Sequence, residues 1–344
     1  MKSTRRLSVI LFLLFTFSFL LTAQSSRPYD SLALQIIKTG LGSGQSYEML
    51  RELCSTIGHR LSGSPQAAKA VEWAKAKMES LQFDSVYLQK VMVPHWVRGD
   101  VETSWVVGTS LGTNGHAKEN YPLSICALGG SIATPEEGIT AEVLEVKTFE
   151  ELQAMGEQAK GKIIFFNRPM DKTKLQTFEA YGGAVNQRGS GAVEAAKVGG
   201  VGALVRSMTT ALDDVPHTGS MHYADSIPKM PTAAISTVDA NYLSELLKKQ
   251  PHAKIYFKLT CEALPDVESA NVIGELRGTE FPNEVIVIGG HFDSWDKGDG
   301  AHDDGTGSMQ SIEALRLLKE LGLKPKRTIR AVLFMNEENG LRGG

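Results

Sequence analysis

Cysteine is scarce in this chain: Cys54, Cys126 and Cys261 are the only three in 344 residues, and no Cys-x-x-Cys pair occurs. That spacing argues against a thiolate zinc site and against thioredoxin-like redox chemistry. It allows at most one disulfide, and the sequence leaves the pairing open. An excess of one charge is also lacking, with 36 Lys and Arg against 39 Asp and Glu, a net charge of −3. Phosphate binding needs a basic face, so nucleic acid and anionic membranes are excluded as partners and a small or peptidic ligand is expected. Signs of disorder are missing as well. With 42% hydrophobic residues the chain can bury one large core or two smaller ones.

Past Leu21 no run is apolar enough to cross a bilayer. The start is different. Met1–Arg6 is basic, Leu7–Leu21 is apolar and uncharged, and Thr22-Ala23-Gln24 offers a small residue for cleavage, which together read as a signal peptide over residues 1–23. The apolar run is shorter than the ~20 residues a membrane anchor needs. A secreted or periplasmic protein with no membrane attachment after cleavage is expected.

Along the rest of the chain, Tyr47–Ile57 and Ser64–Leu81 read as amphipathic helices, the second with Ser64 as N-cap and Pro65 at the first helical position. Val86–Val93 and Ser104–Val107 read as strands. From about Tyr121 to Cys261 the texture changes to short strands, Gly and Pro turns and a helix near Gly191–Val198, as in a separate small α/β unit. Its Gly199-Gly200-Val201-Gly202 follows a helix and precedes a strand, the reverse of a phosphate-binding loop, so no nucleotide site is expected there. After Asn271 the pattern is strand, helix, strand: Val285–Gly289 and Thr328–Met335 are unbroken apolar runs, and Met309, Ile312, Leu315, Leu318 and Leu321 recur at helical spacing before Gly322. Such strands predict an α/β fold with a mostly parallel central sheet covered on both faces. In these sheets ligands bind beyond the carboxyl ends of the strands.

Those ends carry the chemistry. The first strand runs into His291-Phe292-Asp293, the second into Asn336-Glu337-Glu338, and the helix between them opens at His302-Asp303-Asp304. Asp293, Asp296, Asp299, Asp303, Asp304, Glu337 and Glu338 converge with only Lys297 nearby to offset them. Two carboxylates ~4 Å apart repel by about 4 kcal/mol at an effective dielectric of ~20, whereas a helix N-terminus relieves only about 1 kcal/mol, so a bound cation is the natural remedy. A histidine among carboxylates, without thiolates or calcium-loop spacing, points to zinc or to cobalt or manganese. In extended chain, residues two apart share a side, so His291 can bind metal while Asp293 orients it. Glu337 and Glu338 must diverge, so one can bind metal while the other serves as general base toward a metal-activated water.

Gly289-Gly290-His291-Phe292-Asp293-Ser294-Trp295-Asp296, Gly300-Ala301-His302-Asp303-Asp304-Gly305-Thr306-Gly307 and Asn336-Glu337-Glu338-Asn339-Gly340, in that order, resemble the zinc exopeptidase family that includes the two-zinc aminopeptidases and carboxypeptidase Q, nearer to the latter. The likeness extends to Gly58-His59-Arg60-Leu61-Ser62-Gly63-Ser64, where the family usually has Gly-Pro-Arg and His59 departs, and to the middle unit, which resembles an inserted protease-associated domain. The resemblance implies two zinc ions, with His291 on one, Asp303 bridging, Glu338 on the other, Glu337 as general base and Asp293 as the orienting carboxylate. It implies a cis Asp303–Asp304 peptide and two further ligands, an Asp and a His, downstream of the paired glutamates. Since the chain stops at Gly344, an incomplete site and a fragment are expected.

The domains expected are therefore a signal peptide (1–23), a first catalytic part (24–120), the inserted unit (121–262) and a second catalytic part (263–344). The activity expected is removal of a terminal residue or dipeptide from short peptides. Neither the end attacked nor the oligomeric state, a homodimer included, is legible. A non-catalytic receptor-like protein and a one-zinc glutaminyl cyclase are the rivals, and Glu337 beside His291 and Asp303, with the Asp303-Asp304 motif, speaks against both. His302, His217 and His222 read as loop histidines outside the ligand set. Trp295 either lines a substrate pocket or shields the sheet edge.

Overall fold

The computed structural model describes residues 29–108 and 120–344, so the signal peptide and its cleavage point lie outside the described residues. The described residues begin with three helices, α1 (Asp30–Ser43), α2 (Ser46–Thr56) and α3 (Pro65–Ser80). As expected, Ser64 caps α3: its hydroxyl accepts from the Ala67 amide, with Pro65 at the first position. Then follow β1 (Ser85–Val97), β2 (Glu102–Val106), β3 (Tyr121–Leu123), β4 (Ile125–Ala127), β5 (Ile139–Val146), α4 (Phe149–Met155), β6 (Ile163–Phe166), α5 (Thr177–Gly182), α6 (Asn186–Lys197), β7 (Gly202–Arg206), β8 (Thr232–Ile235), α7 (Thr237–Lys249) and β9 (Lys254–Leu259). The last elements are β10 (Glu262–Leu276), β11 (Phe281–His291), α8 (Thr306–Glu320) and β12 (Arg327–Phe334).

These strands form two sheets. The first has the order β1-β10-β12-β11 and the second β3-β2-β9-β5-β6-β7-β8-β4. Chain texture placed a boundary near Tyr121, but β2 already hydrogen-bonds into the second sheet. Sheet membership changes between Val97 and Glu102 and returns between Leu259 and Glu262, because pairing partners, not local composition, decide where a strand belongs.

The α/β class holds, with helices packed on the sheets, but the first sheet is mixed. The two runs read as parallel, β11 and β12, do pair in parallel, with His291 opposite Phe334. The pairs β1/β10 and β10/β12 are antiparallel. Val285, Ile286 and Val287 of β11 are 40%, 49% and 53% exposed at what is, among the described residues, the sheet edge. One core nevertheless joins Met49 and Leu53 of α2, Ala70 and Met78 of α3, Val272 of β10, Ile312 and Leu315 of α8 and Leu333 of β12. It fixes the carboxyl ends of β11 and β12 side by side, which is what the site requires. The second sheet has its own core, with Ile163, Phe165, Leu204, Ile255 and Phe257 buried among one another.

Candidate metal centre

His291 is the last residue of β11, and the chain beyond it is drawn across the sheet edge when the Phe292 amide donates to the Phe334 carbonyl at 2.6 Å. The fully buried Asp293 carboxylate accepts from two successive amides, those of Glu337 at 3.0 Å and Glu338 at 3.2 Å. Asn336 makes that possible. It adopts a left-handed φ of 74°, which asparagine tolerates better than most residues, and this turns the chain leaving β12 so that both amides face Asp293. Its side-chain amide is held by Ser62 Oγ at 2.8 Å.

Asp293 was expected to orient His291 through its carboxylate. The nearest approach of that carboxylate to Nδ1 is 3.8 Å, and the main-chain carbonyl of Asp293 accepts from Nδ1–H at 3.0 Å. A residue whose two carboxylate oxygens are already taken by backbone amides must hold the ring through its carbonyl. The consequence for the ring is the same, since Nδ1 keeps its proton and Nε2 points into the site.

The turn Ala301–Gly305 contains the cis Asp303–Asp304 peptide that the family resemblance implied. The two aspartates part there. Asp304 turns inward, accepting from the His291 amide at 3.1 Å and the Gly307 amide at 3.0 Å, so it ties β11 to the start of α8. Gly290 and Gly307 are required around it, because a Cβ on either would lie 2.4–2.6 Å from an Asp304 oxygen. Asp303 turns outward, with Oδ1 2.8 Å from His291 Nε2.

Of the seven acids expected to converge, three do. One ligand atom each from His291, Asp303 and Glu338 all lie within 4.8 Å of one another. Glu337 stands beside them, Oε2 3.8 Å from His291 Nε2, and is half exposed. Asp296 is diverted to Arg98, which clasps it with bonds of 2.7 and 2.6 Å, and Lys297 pairs with Glu102. His302 is exposed and outside the set.

Protonation follows from this crowding. Burial opposes a charge on His291, but its bond to Asp303 and the fields of Asp293, Glu337 and Glu338 outweigh burial and raise its pKa. Burial, then Asp303, raises Glu338, while the His291 bond lowers Asp303. Burial also raises Asp293 against the pull of the two amides. The cluster thus retains protons that a divalent cation would displace, and one imidazole nitrogen with two carboxylates is a donor set that suits zinc-like ions.

Beneath the centre lies Arg60, fully buried and not flagged by the sequence reading as a site residue. Its guanidinium donates to the Phe292 carbonyl, to the Asp299 carbonyl at 2.8 Å and to the Gly300 carbonyl at 2.8 Å. The only signal in the sequence was its place in the Gly58–Ser64 loop. In front of the centre opens a cavity of about 680 Å³, lined by Asp303, Glu337 and Glu338 on one side and by residues of the second sheet's unit on the other. His217 and His222 line it too, rather than sitting on an open surface loop. Of the two roles weighed for Trp295, cavity lining is the one observed, and its ring also packs edge-on against Trp96 with centroids 6.5 Å apart.

Residues 271–344, which hold all of this centre except Arg60 and its loop, match the model of peptidase family M28. A solved peptidase M28 precursor from Shewanella amazonensis superposes with a TM-score of 0.84 at 37% identity, over 91% of this chain and 68% of that one. The chain belongs to peptidase family M28. Among M28 relatives, carboxypeptidase Q of Xenopus laevis is 42% identical over 315 residues, 91% of this chain and 63% of that protein, so the chain spans less than two thirds of that relative's length. The fold is shared with a zinc aminopeptidase from Bacillus subtilis, at a TM-score of 0.60 and 22% identity over 87% of this chain and 63% of that one.

Proposed function

We propose that this M28 chain carries the principal wall of a secreted metal-dependent exopeptidase of the carboxypeptidase Q kind, acting on terminal bonds of short peptides. The observation that supports it is the convergence of His291, Asp303 and Glu338 on one point with Glu337 beside it. His291, Asp303 and Glu338 would hold zinc, Asp303 shared between two ions. Bound there, zinc supplies a Lewis acid that polarises the scissile carbonyl and acidifies water.

The chain's own residues do the rest. Glu337, half exposed and with His291 as its ion-pair neighbour among the described residues, takes the proton of the attacking water and delivers it to the leaving amine. Asp293 fixes the backbone of both glutamates, so base and ligand cannot drift independently. Asp304 holds the Asp303 turn against β11. Export rests on the basic start and apolar run of residues 1–23. Among the described residues no helix is long and apolar enough to cross a membrane.

The test is dipeptide hydrolysis by the full-length protein before and after treatment with a chelator. Activity lost on chelation and regained with zinc is the expected result. Activity indifferent to chelation would refute the metal role.

A further inference from the structure

The cavity wall facing the acids is supplied by the second sheet's unit, and a cation stands on it. Arg188, in α6, lines the cavity together with Asp303, Glu337 and Glu338. Its guanidinium lies over the Tyr181 ring, 5.4 Å from the centroid, and donates to the Tyr181 hydroxyl. Its Nε–H is buried with no acceptor. Among the described residues no acid forms an ion pair with it, which it shares with Arg60, Arg168 and Arg206, whereas Arg98 and Arg316 are each paired with two carboxylates; of these unpaired four it is the one that lines this cavity.

Space is kept for this group. A Cβ on Gly219 would fall 2.4 Å from Arg188 Nη1, so a side chain there would displace the guanidinium from its present place. A half-buried guanidinium without a counter-ion is costly unless something anionic arrives, and its planar fork matches a carboxylate with two parallel bonds. Phe178, Tyr181 and Met208 beside it offer an apolar surface for a side chain.

We propose that Arg188 is the anchor for the free C-terminal carboxylate of the peptide. A peptide seated this way presents its last bond to the metal centre, so the carboxyl end is the one attacked and the unit containing α6 forms half of the substrate site. This assignment rests on the exopeptidase reading above and adds to it the residue that recognises the substrate's free carboxylate.

The experiment uses the full-length protein loaded with zinc, a dipeptide and its C-terminal amide, and the variants R188M and R188K. Loss of a charge-assisted pair predicts that R188M raises KM for the free acid about 10- to 100-fold, with little change in kcat. The amide should be affected far less than the acid, an unfolding temperature equal to that of the unaltered protein shows that the variant is folded, and R188K should recover part of the loss. Equal effects of R188M on acid and amide, or none on either, would overturn the assignment while leaving the peptidase reading intact. Should neither peptide be cleaved by the unaltered protein, the peptidase reading falls. Calorimetric binding of N-acetyl-leucine against its amide then decides the anchor separately: tighter binding of the acid, lost in R188M, supports it, and equal binding refutes it.

Discussion

Arg60→Met removes a guanidinium that no solvent reaches and leaves its carbonyl partners in place. Phe292, Asp299 and Gly300 each lose a donor, and the Gly58 carbonyl loses a longer contact of 3.4 Å. A buried acceptor left unmet costs about 1–3 kcal/mol, so three give roughly 3–9 kcal/mol before relaxation. Water entering the vacated volume lowers this, and the lost desolvation cost of the charge lowers it further, since burial is what depresses the Arg60 pKa. A loss of about 3–5 kcal/mol in unfolding free energy is expected, measured as a shift in urea midpoint with the slope unchanged. The same carbonyls fix the segment between His291 and Asp303, so zinc affinity should fall by roughly 10- to 100-fold even under conditions where the variant is folded. A loss below about 1 kcal/mol with unaltered zinc affinity would refute the claim that Arg60 positions this segment.

Glu337→Gln should keep zinc stoichiometry while hydrolysis falls by about 10²- to 10⁴-fold, read by metal analysis and dipeptide turnover; equal turnover would remove Glu337 as the base. Gly290→Ala places a Cβ 2.4 Å from Asp304 Oδ2 and 2.8 Å from the backbone at Gly307 and Ser308, so a destabilisation of about 1–3 kcal/mol is expected in thermal or urea unfolding. Burial raises the thiol of Cys126 to about 12 and that of Cys261 to about 11, and all three cysteines are free, so both should resist iodoacetamide in the folded protein and react on unfolding. Burial alone would raise Asp296, but its bonds to Arg98 outweigh burial and hold it below its ordinary value. The stability from this pair is therefore present above the unfolded value of about 3.9 and lost as pH falls through the lower folded value, so acid should destabilise the native protein more than an Asp296→Asn variant in urea titrations between about pH 5 and pH 3.

What could be read from the sequence was whatever depends on local order. The cap at Ser64, the helical spacing from Met309 to Leu321 and the apolar runs of β11 and β12 each express themselves within a dozen residues. The ligand candidates were legible because strand ends converge in such folds. What escaped was set by partners far along the chain: Arg98 meets Asp296 across 198 residues, and Arg60 meets Phe292 across 232. No local pattern marks such pairs. The antiparallel β1 and β10 escaped for the same reason, since an apolar run does not say which neighbour it will find.

The acidic count itself was correct, but its interpretation changes once each carboxylate is followed to its partners. Asp296 is paired with Arg98, Asp304 is held by amides at the foot of α8, and Asp293 is held by the amides of the very glutamates it was expected to repel. Each of the three thus has polar partners of its own. Asp303, Glu337 and Glu338 are left with one imidazole between them, and their mutual fields raise the pKa of both His291 and Glu338. On the proposed reading, the acids outside the ligand set are the ones that fix where metal would bind: Asp304 and Asp293 accept from backbone amides, and by doing so hold Asp303 and Glu338 at a separation that repulsion alone would widen. The acidic surplus is therefore both ligand and scaffold, and a substitution at Asp293 or Asp304 should act on metal affinity through the positions of others.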